Sequence, residues 1–379
     1  MIEKMKKLGY LFFALIFNLC RCLPVQRKKV VLYNGHYLTL EGNLLAMKQE
    51  IQRHGEDTKF FYYGKRTRKA GNLLWKAGRA LEFFFRLPFQ MATAGQIFFN
   101  DNFLPLGYCR PSEKTQLIQL WHGAGAFKKF GLSTEKDRKV REQVKRANLR
   151  MTHLFVTSKQ VIPFYSEAFA IPYEKIFATG IPITDIYYSE EEREQGVERF
   201  YDTYPELQGK KLLLIAPTFR NTPEENRELI ENLALDRMEK ILGEEWMILL
   251  RLHPKYPAEG MAEGAHCKLL TGYPQVSDLY FVSDMLMTDY SSTAVEYALL
   301  DKPIIFYAYD LEKYDRGFYW DYEASVPGAV ARNVEEMLGL LEAGQCEAEK
   351  REKFLDMQYD FTDTDAAERI WKVLAAGQR

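Results

Sequence analysis

A chain of 379 residues in which 47% are hydrophobic and 27% charged is long enough for two cores and too apolar to be disordered. A formal net charge of -1 leaves no global field to attract nucleic acid, so any electrostatic preference must be local. The five cysteines (Cys20, Cys22, Cys109, Cys267, Cys346) are odd in number and scattered, which excludes a disulfide ladder, and Cys20-Arg21-Cys22 is not a zinc spacing; a reducing cytosol suits the pattern.

In chain order, Lys4, Lys6 and Lys7 precede an almost wholly apolar run over residues 8–17. The run resembles a signal peptide. However, Asn18 and Arg21 interrupt it, no small-residue cleavage site follows, and it falls short of the ~20 apolar residues that span a bilayer. An amphipathic helix over residues 1–23, lying in the interface of an anionic membrane, is expected; a helix packed on the protein body and an export signal are the alternatives. The stretch 59–90 adds Lys59, Lys65, Arg66, Arg68, Lys69, Lys76, Arg79 and Arg86 against the single acid Glu82, interleaved with Trp75, Phe83, Phe84, Phe85 and Phe89. Cations and interfacial rings suit the same leaflet. Single-stranded RNA ranks below it because no RNA-binding motif accompanies the patch, and a solvated helix face is the plain alternative.

Short apolar runs predict strands over 29–33, 95–100, 115–120 and 153–157 in the first half, with a helix over 44–54. The second half repeats the style over 211–215, 246–251, 285–288 and 303–306. Strands alternating with helices predict an α/β protein of two doubly wound units, at 24–188 and 210–362. A charged, apolar-poor linker or surface helix over 189–209 joins them, and a closing helix occupies 363–379. Ligands of such sheets bind beyond the carboxyl ends of the strands, so the residues there are the candidates.

After the strand at 115–120 comes Trp121-His122-Gly123-Ala124-Gly125-Ala126, where a histidine faces a cleft and glycines let the backbone approach a ligand; a lone histidine is more often structural. After 211–215 comes Ala216-Pro217-Thr218-Phe219-Arg220, a hydroxyl and a cation. After 246–251 comes Leu252-His253-Pro254-Lys255; Arg251 and His253 fall on one face of an extended segment, a pairing suited to phosphate or to an ordinary polar strand end. Thr288-Asp289-Tyr290-Ser291-Ser292 reads as strand, turn and helix start, with Ser291 and Ser292 beside free amides and Glu296 about one turn further on. Helix capping by the serines with a solvated Glu296 competes with a pyrophosphate-to-ribose reach.

Together with Lys302-Pro303-Ile304-Ile305-Phe306, Arg316-Gly317-Phe318-Tyr319 and Pro327-Gly328, these blocks resemble the CDP-glycerol glycerophosphotransferases of teichoic acid synthesis, in family order from residue 30 to 375. The resemblance implies a GT-B-like fold, two Rossmann-like domains facing a cleft, and transfer of glycerol phosphate from CDP-glycerol, or ribitol phosphate from CDP-ribitol, to a polyprenyl-diphosphate-linked saccharide at the cytoplasmic face of the membrane. It places Gly123, Ala124, Gly125, Ala126, Pro217, Thr218, Arg251, Leu252, Ser291, Ser292 and Glu296 at the CDP-polyol. His122 is the expected base, with His253 and Arg251 stabilising charge on departing CMP; the two histidines can exchange roles. The family pattern Gly-x-Pro-Arg-x-Asp reads Gly180-Ile181-Pro182-Ile183-Thr184-Asp185 here, so a cation must come from Arg220 or Lys255, or the donor differs. No cofactor or metal is expected: Asp363-Thr364-Asp365 has capping-box spacing to Glu368. The little sequence beyond the transferase region leads to an expectation of primase-like addition. A sugar-nucleotide glycosyltransferase and a degenerate membrane-associated binding module are the rival readings.

Overall fold

A computed structural model describes residues 2–55, 57–64, 73–253, 266–344 and 347–377; Lys65, Arg66, Arg68, Lys69, Pro254, Lys255 and Cys346 lie outside the described residues. The chain divides into two units, Met1–Asp185 with Tyr359–Arg379, and Ile186–Gln358.

Among the described residues of the first unit, β1 (Gln26–Asn34), β2 (Lys59–Gly64), β3 (Ala94–Phe99), β4 (Gln116–Gln119), β5 (His153–Val156) and β6 (Ile176–Ala178) form a parallel sheet in the order β2-β1-β3-β4-β5-β6. Strand β3 is buried throughout, because helices cover both faces of the sheet. On one face Val30, Leu32, Phe98 and Ile118 pack against Leu44, Met47 and Ile51 of the Gly42–His54 helix and Ile370 and Leu374 of the Ala366–Ala376 helix. On the other, Tyr33 and Phe99 meet Phe103, which packs edge-to-face with Phe13 of the Ile2–Cys20 helix.

That N-terminal helix has two apolar faces. Phe13, Ala14 and Phe17 are buried on the first unit, and Asn18 holds it there, donating to Tyr108 O (3.3 Å) and accepting from Arg110 N (2.8 Å). Burying two phenylalanines contributes about 1.5–3 kcal/mol each. The outer face exposes Met5, Leu8, Leu11, Phe12, Leu15 and Leu19. Part of the basic stretch turns inward. Lys59–Gly64 is the edge strand β2, Arg79 pairs with Glu82 (2.6 Å) and donates to Gly64 O, and Arg86 lies over the Phe61 ring.

In the second unit β7 (Lys211–Ile215), β8 (Trp246–Leu250), β9 (Cys267–Leu269), β10 (Met285–Thr288), β11 (Ile304–Tyr307) and β12 (Ala329–Ala331) form a parallel sheet in the order β12-β11-β10-β7-β8-β9. This is the dinucleotide-fold order, reversing between β7 and β10, whereas the first sheet reverses between β1 and β3. The stretch 189–209 carries the Glu190–Thr203 helix of this unit; its Arg199 makes a two-pronged ion pair with the buried Asp278.

One local expectation is corrected. Asp365 does not cap the Ala366–Ala376 helix: Asp185, from far upstream, accepts Ala366 N at 3.2 Å, while Asp363 accepts Asp365 N and pairs with Arg369. Burial pushes the Asp185 carboxyl up to about 7 against the opposing pull of that amide and of Arg369.

Candidate active site

Both reversal points carry the candidate residues. In the first unit β1 ends on Asn34 and β3 is followed by Asn100, both buried. Asn34 Oδ1 accepts from Tyr37 N (2.9 Å), His36 N (3.3 Å) and Asn100 Nδ2 (2.9 Å), and Gly35 N donates to Asn100 Oδ1 (2.9 Å). The side chain thus folds the chain back on itself in an Asx-type turn. Position 35 must be glycine, since a Cβ there would sit 2.8 Å from Asp101 Cβ.

His122, half-buried after β4, places Nδ1 2.9 Å from Asn100 O. A carbonyl only accepts, so Nδ1 carries a proton here, and in the neutral ring Nε2 is the accepting nitrogen. The preceding Trp121 adopts a left-handed backbone, φ 58°, a strained conformation for a bulky residue. Asn43 Nδ2 secures it through Leu120 O and Trp121 O. Tyr165, buried and unremarkable in the sequence, donates its hydroxyl to Gly123 O (3.2 Å) and Gly125 O (3.0 Å), shaping the loop around Ala124 and Ala126. Asn43 Oδ1 also accepts Ile183 N at 2.7 Å, bringing Ile183 to this loop, where its Cδ1 lies near Gly42 and Tyr37. The family's arginine position therefore belongs to the His122 neighbourhood, filled here by an apolar side chain.

In the second unit Thr218 N donates to Asp289 Oδ1 (2.8 Å). Arg220 is buried between carboxylates: Nε and Nη2 grip Asp310 (2.7 and 3.0 Å), and Nη1 donates to Asp289 Oδ2 and Thr218 O. Burial disfavours its charge, but the two aspartates outweigh that and raise its pKa. Arg220 was expected as a cation for the donor; this geometry makes it a brace joining the ends of β7, β10 and β11, with its charge already neutralised. Its guanidinium lies over Tyr290, whose hydroxyl donates to Asp310. Beside it, Thr218, Arg220, Asp310, Tyr314 and Arg316 line a cavity of about 170 Å³. Thr218 Oγ1 is buried with no protein partner among the described residues, and the adjoining Pro217 is half-buried.

Arg251 donates through Nη1 to Leu270 O (3.2 Å) and Tyr273 O (2.8 Å), leaving Nε and Nη2 without a protein partner among the described residues. Burial lowers its pKa while Tyr280 opposes, and a guanidinium remains charged. Leu252 is buried and the exposed His253 sets its ring 5.2 Å from Phe219. Ser291 and Ser292 precede a five-residue helix, Thr293–Tyr297; Ser291 Oγ accepts Thr293 N, and Ser292 makes no capping bond. Burial raises the Glu296 carboxyl and the Tyr187 hydroxyl, donating at 2.7 Å, opposes it. Tyr280 feels both Glu296 and Arg251, so these two line one region. The structure thus brings Pro217, Thr218, Arg220, Arg251, Leu252, His253, Ser291, Ser292 and Glu296 to one end of the second sheet, and His122 to Ala126 to the corresponding end of the first. Asn34, His36, Asn100 and Tyr187 were not singled out from sequence, and Asp289 and Asp310, though inside motif blocks, were given no role; Asn34-Gly35 directly after a strand was the signal for the first of them.

Two doubly wound parallel sheets, one in each unit, define a GT-B-like class of fold. The backbone is similar to that of the wall teichoic acid polymerase TagF, H444N variant (TM-score 0.74, 21% identity, 93% of this chain and 90% of that one). The chain belongs to the CDP-glycerol:poly(glycerophosphate) glycerophosphotransferase family, which it matches over residues 15–376. It is 30% identical to the teichoic acid poly(ribitol-phosphate) polymerase of Bacillus spizizenii over 96% of this chain, and it spans only 59% of that relative's length. It is also 30% identical to that organism's teichoic acid ribitol-phosphate primase, over 92% of this chain and 91% of the primase. The teichoic acid glycerol-phosphate primase of the same organism is 32% identical over 63% of each.

Proposed function

We propose that this chain transfers a polyol phosphate from a CDP-polyol to a polyprenyl-diphosphate-linked saccharide, releasing CMP, in teichoic acid or related polymer synthesis. The observation that carries the reading is the His122 ring, whose Nδ1 donates to Asn100 O, the tautomer that in a neutral imidazole makes Nε2 the proton acceptor. His122 Nε2 takes the proton of the acceptor hydroxyl as its oxygen bonds to the distal phosphorus and the phosphorus–oxygen bond to CMP breaks. Arg251 and His253 stabilise the charge that collects on CMP, and the hydroxyls of Thr218, Ser291 and Ser292 receive the phosphates. Both CDP-glycerol and CDP-ribitol fit this chemistry. Ribitol is favoured because the ribitol-phosphate relatives align along more than nine-tenths of the chain, the glycerol-phosphate primase along 63%. Incubation with each CDP-polyol and a lipid-linked disaccharide, read by product mass, tests this; release of a nucleoside diphosphate from a sugar nucleotide instead of CMP would overturn it.

Glu296 is assigned to the ribose hydroxyls of the donor. Glu296→Gln keeps an acceptor for Tyr187 but loses the charge, so KM for the CDP-polyol should rise about tenfold, the worth of one charge-assisted hydrogen bond, with kcat unchanged. Reduced kcat at constant KM would remove Glu296 from donor binding.

No helix among the described residues is long and apolar enough to cross a membrane. We assign peripheral attachment to the outer face of the Ile2–Cys20 helix, which continues into exposed Leu81, Phe85 and Phe89 and borders a groove lined by Lys6, Lys7, Arg138, Lys139 and Arg146. Apolar burial resists salt, whereas attraction to anionic lipid is screened within about 8 Å near physiological ionic strength. Binding to anionic vesicles should therefore weaken as salt rises but not vanish. Because Phe13 and Phe17 belong to the core, the informative change is on the outer face rather than deletion of the helix. Replacing Leu8, Leu11, Leu15 and Leu19 by Gln should lower vesicle affinity at least ~10-fold, given about 1.5–3 kcal/mol per buried leucine, and leave turnover of a soluble acceptor analogue intact. Unchanged vesicle binding would refute the assignment.

A further inference from the structure

We propose that His36 is a positioning residue that holds the His122 ring in its working orientation; this rests on the reading of His122 as the base. The two imidazoles lie parallel, centroids 3.7 Å apart and planes 6° apart. His36 sits on the turn that follows β1, beside the β1/β3 reversal where ligands of doubly wound sheets bind. That turn is not loose. Buried Asn34 and Asn100 cross-link it through four side-chain hydrogen bonds, and the carbonyl of the same Asn100 receives His122 Nδ1. Tyr37, the next residue, donates its hydroxyl to His122 O at 3.3 Å and packs edge-on against His36. One turn therefore reaches His122 at its ring face, at its ring nitrogen through Asn100, and at its backbone.

The need for such support follows from where His122 lies. It follows a residue in left-handed conformation and precedes Gly123 and Gly125; Asn43 and Tyr165 hold this backbone, but a fixed backbone does not by itself set the tilt of the ring. The hydrogen bond to Asn100 O fixes one edge of the imidazole and leaves tilt about that edge to be limited by ring contacts, of which the Trp121 ring, 4.0 Å away, is inclined by 31°. A parallel ring on its face removes the tilt, and the alignment of a base with the hydroxyl it deprotonates tolerates little of it. Any flat ring at position 36 satisfies this requirement; a titratable one is not needed.

The test compares His36→Ala and His36→Phe in the full chain, with His36→Gln as a second ringless variant should the alanine protein fold poorly. His36→Ala should lower kcat for CMP release about tenfold, the scale of a slightly misplaced catalytic group, with KM for the CDP-polyol within about twofold. His36→Phe should recover most of the loss. Imidazole 15N spectra of histidine-labelled protein give a readout independent of turnover. His122 should show one Nδ1-protonated tautomer in the parent and in His36→Phe, and a broadened or mixed signal in the ringless variants. A ringless variant with unchanged kcat and an unchanged His122 signal, or a phenylalanine variant as slow as alanine, overturns the proposal. A parent protein that releases no CMP from any CDP-polyol would instead remove the base reading, while the spectra would still decide whether His36 orders the ring.

Discussion

Alanine in place of His122 should lower CMP release at saturating CDP-polyol by at least ~10², the lower range for loss of general acid–base assistance. The expectation rests on the ring nitrogen assignment: Nδ1 is committed to Asn100 O, so only Nε2 can accept the acceptor's proton, and alanine supplies no substitute. Folding should survive, because His122 is half-buried in a loop and the change leaves one carbonyl to be satisfied by water. Donor affinity should change little, since alanine leaves the backbone of residues 123–126 in place and the side chains proposed to hold the nucleotide lie on the second unit. His253→Ala should also cost at least ~10², but by a different route: in the proposed mechanism its ring, 5.2 Å from Phe219, stabilises the leaving CMP. Turnover near that of the parent in either variant would take that histidine out of the mechanism, and both are read by initial rates of CMP release with melting curves as the folding control.

Arg220→Ala should destabilise the second unit by about 3–5 kcal/mol, the usual cost of removing one partner from a buried ion pair. Asp289 is fully buried and Asp310 nearly so, and without the guanidinium the two carboxylates face each other and the Tyr290 ring with no cation between them. Arg220→Lys should be intermediate: it restores charge but not the fork that holds both oxygens of Asp310 while also reaching Asp289 and Thr218 O. Denaturant unfolding followed by tryptophan fluorescence measures both. A loss below about 1 kcal/mol for alanine would show that the aspartates are readily neutralised by protonation or water, and that Arg220 is available to a ligand after all.

How much of this was legible in sequence depends on the range over which each signal acts. The strands at 211–215 and 285–288 are found where their apolar runs predicted, because central parallel strands are buried on both faces and leave an uninterrupted pattern. Strands β6, β9 and β12, at three residues each, are too short to carry a periodic signal. Strand β2 was hidden inside a basic aromatic stretch, since an edge strand tolerates lysine and half-exposed rings that also suit a membrane surface.

The candidate site divides in the same way. The α/β class, the blocks around His122, Thr218, Arg251, His253 and Ser291, and the apolar run of the first helix are legible locally, because each depends on neighbours within a few positions. What those residues pair with follows from the topology alone. That Arg220 spends its charge on Asp289 and Asp310, 69 and 90 positions away, is invisible in a local pattern. So is the capture of the final helix by Asp185, 181 positions before it, which displaced the capping expected of Asp365. Asn18, read as a flaw in an apolar run, proves to be the hydrogen-bonding residue that docks the helix, and His36 gains its interest solely from lying 3.7 Å above a ring 86 positions further on. The physical reason is common to all four. A polar side chain in a folded protein is satisfied by whatever the topology brings within about 3 Å, and parallel sheets bring together strand ends that are far apart in the chain.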